Sequence, residues 1–458
     1  MSLGALFLER CAEARSVFVV DREGPHAYAD VERHAIAIAA RIGEVAAPGA
    51  RVAILLGAGE PFVAAFFGAL LAGCTAMPID PRLAPPEIAF LLEHGDVAAL
   101  VTDARISARC ALVSAERGVG DRCVVRSVAE EDVAVMLPTS GSTASPRVVE
   151  LSHASVLANA RAWNARYAID GADVIATPLS PCHSFGMTAC LLSALDAGAT
   201  LVVCDDPLPA SVGQAIASCR ATVFVAASSF YGWLARSPAV ESASLSTLRL
   251  AMSGACALTD AARDGFEHKT GLRILETYGL TEASPVVTAT RPGEARAGSV
   301  GAALDVTLRV RDDELEVRGA TVMRGYFRNA EATARALDDG WLRTGDLASI
   351  EGDRVTILGR RKDLIIRGGE KIYPEEIEGV LASHPGVIDV AVIGDADPSA
   401  GEIPIAFVAG SADASSLLAL CRARLAAFKV PRRIEIVSVI PRNPNGKVLR
   451  RLLRERAT

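Results

Sequence analysis

Through the first three hundred residues, short apolar runs alternate with longer helix-like stretches. Residues 51–56, 100–102, 200–204, 221–225 and 249–252 each read as a buried strand. Residues 133–137 form one more, and Ser152 stands where it can cap an amphipathic helix running to about Tyr167. Strands alternating with helices predict an α/β domain with largely parallel sheets. Sheets of that kind hold their ligands at the carboxyl ends of strands, and the loop at Thr139 follows such an end. Residues 61–79 carry no charge and approach the length of a membrane span. Gly68, Gly73, Pro78 and many Ala interrupt that run, and it has no basic flank. A buried helix followed by a short strand is therefore expected, and no membrane span.

Past Arg296 the pattern changes. Residues 306–310 and 314–317 flank Asp312-Asp313 as a hairpin, and residues 347–350 and 354–358 form a second around 351–353. The charged run Gly359-Arg-Arg-Lys-Asp363 reads as a linker. The remaining stretch has its own βαβ-like pattern. One helix starts with Pro374 in its first turn, where Glu375 and Glu376 suit the positive helix end. Another is expected over residues 411–429, stopping before Pro431. The division predicted is 1–358, a hinge at 359–363, and 364–458.

A chain of 458 residues calls for two to three domains, and a net charge of −7 argues against a general nucleic-acid binder. The ten Cys are scattered with no Cys-x2-Cys pair, which disfavours a zinc site. Reduced thiols and a cytoplasmic location are expected. Residues 3–8 are apolar, but no basic segment precedes them and Glu9 ends the run, so no targeting signal is expected there.

Candidate chemistry begins at Leu137-to-Arg147. Thr139, Ser140, Gly141, Ser142, Thr143 and Ser145 crowd hydroxyls and backbone N–H groups into one turn, a composition that suits a phosphate nest. The turn lacks the Walker pattern, and alone it would more often be a plain loop. It is followed by Tyr278-Gly-Leu-Thr-Glu282, Thr344-Gly-Asp346, Gly359-Arg-Arg-Lys-Asp363 and Asn445-Gly-Lys447. Each is weak by itself: the second would pass for a polar turn, and a Lys after Asn-Gly is commonly an exposed turn. In this order and spacing, the set resembles the acyl-adenylate-forming superfamily of acyl- and aryl-CoA synthetases, peptide-synthetase adenylation domains and beetle luciferases. The resemblance covers nearly the whole chain.

The resemblance implies an α/β fold: a large N-terminal domain of mixed and parallel sheets flanked by helices, plus a small α+β C-terminal lid. It also implies two half-reactions. A carboxylate attacks the α-phosphate of ATP, giving acyl-AMP and pyrophosphate; a thiol then takes the acyl group and releases AMP. The first step joins two anions, so it needs cations and donors where charge accumulates, and Mg2+ to bridge the phosphates. By the same resemblance, Thr139 to Thr143 and Arg147 belong to the loop that holds the β- and γ-phosphates. Thr281 contacts the α-phosphate and Glu282 holds magnesium. Tyr278 and Gly279 lie at the adenine with the strip Gly254, Ala255 and Cys256. Asp346 accepts the ribose hydroxyls, a role that suits a bidentate acceptor. Arg360 meets the ribose from the lid side, and Lys447 bridges acyl carboxylate and phosphate. Lys362 matches the pivot of the lid, and Gly368 and Gly369 match the channel for the thiol.

Two residues depart from the family loop, Ala144 where Gly is usual and Arg147 where Lys is usual. An Ala at a positive φ costs roughly 1 kcal/mol. Arg147 keeps the charge and changes the donor geometry. Ala257, where Pro is common, is a minor change. Pro181-Cys-His-Ser-Phe-Gly-Met187 resembles the segment whose His or aromatic gates the acyl tunnel, with a core histidine as the alternative for His183. No Asp stands there to hold an α-amine, which disfavours an amino acid. The wall at residues 226–232 is small and apolar with two aromatics, so an uncharged aryl acid or a short to medium fatty acid is expected. The linker carries no long insertion. Coenzyme A is the first expected acceptor. A carrier-protein phosphopantetheine is the second, in trans, since no attachment site follows Lys447. A nucleotide-binding regulator without turnover is the third reading.

Overall fold

Two sheets divide the apolar runs between them in a computed structural model that describes residues 1–14, 16–104, 108–118, 125–139, 147–398, 400–442 and 447–457. In the seven-stranded sheet, Val97–Thr102, Arg51–Leu55, Thr75–Pro78 and Val133–Thr139 lie side by side in parallel. In the nine-stranded sheet, Ile274–Gly279, Leu250–Gly254, Val223–Ala227, Val174–Thr177 and Thr200–Val203 run parallel in that spatial order. The helix Glu60–Leu71 packs between the sheets, touching strands of both. Being apolar all round, it has no face for water, and every residue but Pro61 is buried. The uncharged stretch is thus a core helix followed by the strand Thr75–Pro78. Among the described residues no helix is long and apolar enough to cross a membrane. The helix His153–Tyr167 also bridges the sheets, and Ser152 caps it by accepting from Ser155 N at 3.1 Å.

Both predicted hairpins are present in a third, antiparallel sheet. Thr307–Arg311 pairs with Glu314–Arg318, and Trp341–Glu351 pairs with Arg354–Arg360. Asp312 and Asp313 take φ of +53° and +64°, as a two-residue hairpin turn requires. A fourth sheet forms the smaller C-terminal domain around the antiparallel pair Val387–Asp397 and Gly401–Gly410. It has its own core of Ile365, Ile377, Leu381, Val392, Val408 and Leu417.

One element is unpredicted and one differs from expectation. Arg147–Ser152, for which the sequence predicts no element, is a strand that pairs antiparallel with Val133–Thr139. The hydroxyl-rich stretch therefore lies in the chain between two paired strands. The expected helix over 411–429 is split into Ala414–Arg424 and a short 3-10 turn, Ala427–Lys429. Asp413 starts it, accepting from Ser416 N at 2.9 Å, and Leu425 ends it in an extended conformation.

Candidate active site

The carboxyl ends of four neighbouring parallel strands gather most of the predicted segments at one edge of the nine-stranded sheet. Thr177 leads to residues 181–187, Ala227 to 228–232, Gly254 to 255–256, and Gly279 to 280–282. Neither Gly254 nor Gly279 has room for a side chain. A Cβ on Gly254 would lie 2.8 Å from Thr277 Oγ1 and 2.9 Å from the Phe185 ring, and one on Gly279 would lie 2.1 Å from the Pro285 carbonyl oxygen. Ala255 is held at φ +69°, which only a well-fastened turn imposes on a residue with a Cβ. Ser228 is the fastening: its hydroxyl donates to the Cys256 carbonyl at 2.7 Å and lies 2.8 Å from Ser253 Oγ.

Asp346 is buried at the meeting point of three elements. Its strand sets it opposite Arg360, whose Nε lies 3.2 Å from Oδ1. Tyr278 Oη donates to Oδ2 at 2.6 Å. Burial, and then the Asp346 charge, push the Tyr278 phenol well above its ordinary pKa, so it stays a donor. Glu282 accepts from Tyr326 Oη at 2.8 Å through Oε1. The Arg147 guanidinium lies 5.1 Å from the centroid of the same Tyr326 ring. Tyr326 thus ties the root of the hydroxyl-rich loop to Glu282. At that root Thr139 Oγ1 donates to the Arg147 carbonyl at 3.3 Å. Ser140, Gly141, Ser142, Thr143 and Ala144 lie outside the described residues. Thr281 Oγ1 is 3.2 Å from Ser184 Oγ, which links it to the His183 segment.

Lys447 reaches this place from the C-terminal domain. Much of the residue is open to solvent, yet its ammonium lies within electrostatic reach of Arg360, Asp346, Glu282 and Lys362. Enclosure, then Arg360, lower its pKa from 10.5, against the pull of the two carboxylates. Burial and Arg360 also lower the pKa of Lys362. His183 stands at the edge, a third exposed, with Nε2 at 3.0 Å from Asp80 Oδ2. Asp80 is buried and also grips Arg82. Burial alone would raise the Asp80 carboxyl, but hydrogen bonds from His183 and Arg82 overcome it and hold it low. The ionised carboxylate only accepts, so it fixes the proton on His183 Nε2.

Gly368 and Gly369 form the turn between Ile365–Arg367 and Glu370–Ile372, with φ of +57° and +89°. A Cβ on either would meet open space. In this arrangement the hairpin is tied to Ala400 and Asp313, the latter through Lys371, while Lys447 faces the site. The segment Arg361–Asp363 is a single 3-10 turn continuing from Arg354–Arg360. Beside it a Cβ on Gly359 would lie 2.5 Å from Glu375 Oε2, an oxygen with no hydrogen-bond partner among the described residues. Burial, then the Glu378 charge, raise the Glu375 carboxyl to about 7. Stability from its bound proton is full below the ordinary value of 4.5 and lost as pH rises through about 7. Glu375→Gln should therefore melt at least about 2 °C higher than the parent at pH 8. The gap should close by pH 5. A calorimetric scan at the two pH values checks this, and an equal gap at both would refute it.

Sequence reasoning missed Tyr326 and Asp80. Tyr326 sits in a two-residue strand, Gly325–Tyr326, that docks on Arg147–Ser152, and no local pattern announces such a contact.

A family model described as AMP-binding enzyme matches residues 8–327, and one described as AMP-binding enzyme C-terminal domain matches residues 376–447. A Mycobacterium tuberculosis CoA ligase, named for a propanoyl group carrying a 7a-methyl-1,5-dioxo-octahydro-1H-indenyl ring, is 39% identical over 344 residues. That match covers 72% of this chain and 67% of the relative. A feruloyl-CoA synthase from an Amycolatopsis species is 34% identical over 447 residues, 89% of each chain. The crystal structure of ATP-bound MatB from Rhodopseudomonas palustris superposes with a TM-score of 0.93 at 27% identity, covering 100% of this chain and 99% of that one. The same protein without ligand gives 0.81 at 26% identity, over 100% and 99%.

Proposed function

The chain belongs to the AMP-binding enzyme family, and from that premise we propose that it is an ATP-dependent acid–thiol ligase. It joins a carboxylic acid to AMP with release of pyrophosphate, then transfers the acyl group to the thiol of coenzyme A. The observation that carries this reading is the convergence of Lys447, Arg360, Asp346 and Glu282 on one cleft from two domains. It offers two cations where two anions must meet and two carboxylates with separate tasks.

Asp346 takes the ribose hydroxyls. Tyr278 and Arg360 occupy one position on each of its oxygens, and a carboxylate with about four acceptor positions has capacity left. Tyr278 flanks adenine along Gly254, Ala255, Cys256 and Gly279. Thr281 donates to the α-phosphate, and the Thr139 to Thr143 loop with Arg147 holds the β- and γ-phosphates. Glu282 suits magnesium: it is a hard oxygen donor with Oε2 left by Tyr326, and magnesium needs only one or two carboxylates when phosphates and water complete its shell. When bound, magnesium would neutralise phosphate charge. Glu282→Gln keeps shape and removes charge. It should raise the magnesium needed for half-maximal adenylation by about tenfold and leave AMP binding nearly unchanged. A normal magnesium titration in that variant would reject the role.

His183, fixed by Asp80, stands at the acyl entrance. The wall at 226–232 favours an uncharged aryl acid or a short to medium fatty acid. Residues 359–363 act as hinge between 1–358 and the lid 364–458. Turning about Lys362 exchanges Lys447 for the Gly368-Gly369 turn, whose missing Cβ atoms leave room for a pantetheine arm. A reducing cytoplasmic setting accompanies this reading, with nine described cysteines free. Incubating the enzyme with acid, ATP and either coenzyme A or a holo carrier protein tests the acceptor. Acyl-CoA is expected; thioester on the carrier alone would make the protein a carrier-loading ligase instead.

A further inference from the structure

Three buried polar groups on two packed helices have no hydrogen-bond partner among the described residues: Trp163 Nε1, Tyr167 Oη and Thr188 Oγ1. Their residues are 0%, 2% and 0% exposed. Native interiors leave few such groups unpaired, so three together call for an occupant. Trp163 and Tyr167 lie one turn apart on His153–Tyr167. Thr188 lies on Gly186–Leu192, a π-helix packed against that helix. Wide turns of this kind recur at functional sites.

Contacts place this interface relative to the active site. The Phe185 ring presses on Gly254, where a Cβ would lie 2.9 Å away, and meets Trp163 edge-on at 6.0 Å. Trp163 in turn meets Tyr167 edge-on at 4.8 Å. At the opposite end of the strand that Gly254 closes, Arg249 Nη1 donates to the Tyr167 carbonyl at 3.2 Å. The contacts of Gly254 with Phe185, Phe185 with Trp163 and Trp163 with Tyr167 therefore lead from the site into the interior.

Resting on the ligase reading above, we infer that Trp163, Tyr167 and Thr188 form the floor of the acyl pocket and bind an oxygen at the far end of the acid. The substrate class is then an uncharged acid with a carbonyl, hydroxyl or ether oxygen remote from its carboxylate. The indole N–H can only donate, so its partner is an acceptor. None of the three side chains is ionised and all are buried, so a charged acceptor would lie there uncompensated and a neutral one is favoured. Phe185 walls the passage between the floor and the reacting carboxylate.

Acid-dependent pyrophosphate exchange on matched pairs tests this. Cyclohexyl-alkanoic acids are compared with their 4-oxo analogues, and phenyl-alkanoic acids with their 4-methoxy analogues, across a series of chain lengths. The oxygenated member is expected to win in kcat/KM by about tenfold or more at the fitting length. Tyr167→Phe and Thr188→Val each remove one donor and keep the shape, while Trp163→Phe removes the third donor and also shortens the ring. Each should shrink the preference at least threefold, because the oxygenated acid loses more than its partner. Hydrocarbon acids activated as well as the oxygenated ones at every length would overturn the inference and leave the ligase reading standing. A preference unchanged in all three variants would also overturn it, the groups then holding water. Exchange with none of these acids and with no aryl or short to medium fatty acid would overturn the ligase reading itself, and this inference with it. If a variant fails to fold, the preference of the parent enzyme decides.

Discussion

Lys447→Ala is expected to lose acyl-AMP formation by roughly a hundredfold or more, while thioester formation from supplied acyl-AMP survives. The transition state gathers the negative charges of a carboxylate and a phosphate. Lys447 brings a cation to that point, within reach of Asp346 and Glu282. Its charge is already oriented, so it needs no rearrangement during the reaction, unlike water. The second half-reaction starts from acyl-AMP, in which that charge has been neutralised by bond formation, and does not call on Lys447. Equal losses in both half-reactions would show the role to be wrong. A pH profile adds a check. Because its surroundings lower the Lys447 pKa from 10.5, acyl-AMP formation should decline on the alkaline side with an apparent pKa below that value. Lys447→Arg should remove that limb.

Lys362→Pro is expected to give the mirror image, with acyl-AMP formed and thioester formation blocked. Lys362 lies in a 3-10 turn, where φ near −60° is normal, so the φ of proline near −65° suits the present arrangement. The same restriction opposes the backbone change through which a hinge turns a domain. The substitution also removes a cation, so Lys362→Ala serves as the control: it should keep both half-reactions. Single-turnover measurements of each half-reaction separate the cases. Unimpaired thioester formation in Lys362→Pro would place the pivot elsewhere.

The parts of the site that the sequence revealed are those whose residues are neighbours in the chain. Thr281 and Glu282 share one turn, Thr344 and Asp346 one strand, and short spacing makes such groups readable. What stayed hidden depends on distant pairing. Tyr326 reaches Glu282 across 44 positions, and Asp80 reaches His183 across 103. Arg147–Ser152 is too short for its alternation to stand out beside the helix that follows it, and its strand character comes from pairing with Val133–Thr139. The charged, apolar and polar residues of 411–429 fit one helix, and only the Asp413 cap and the extended Leu425 reveal the break. Most of the parallel strands were legible because both faces of each are covered, which leaves continuous apolar runs, but Val174–Thr177 and Ile274–Gly279 were not read from the sequence. Residues 61–79 were legible for the same reason, with Gly and Pro arguing against a membrane.

The central claim is that this site makes an acyl-adenylate. Pyrophosphate exchange into ATP, measured across a panel of uncharged aryl and short to medium fatty acids, tests it most directly. Exchange that depends on at least one acid and on Mg2+, and that disappears in Lys447→Ala, is the predicted result. ATP binding without exchange for any acid would contradict the account and leave a nucleotide-binding protein without turnover.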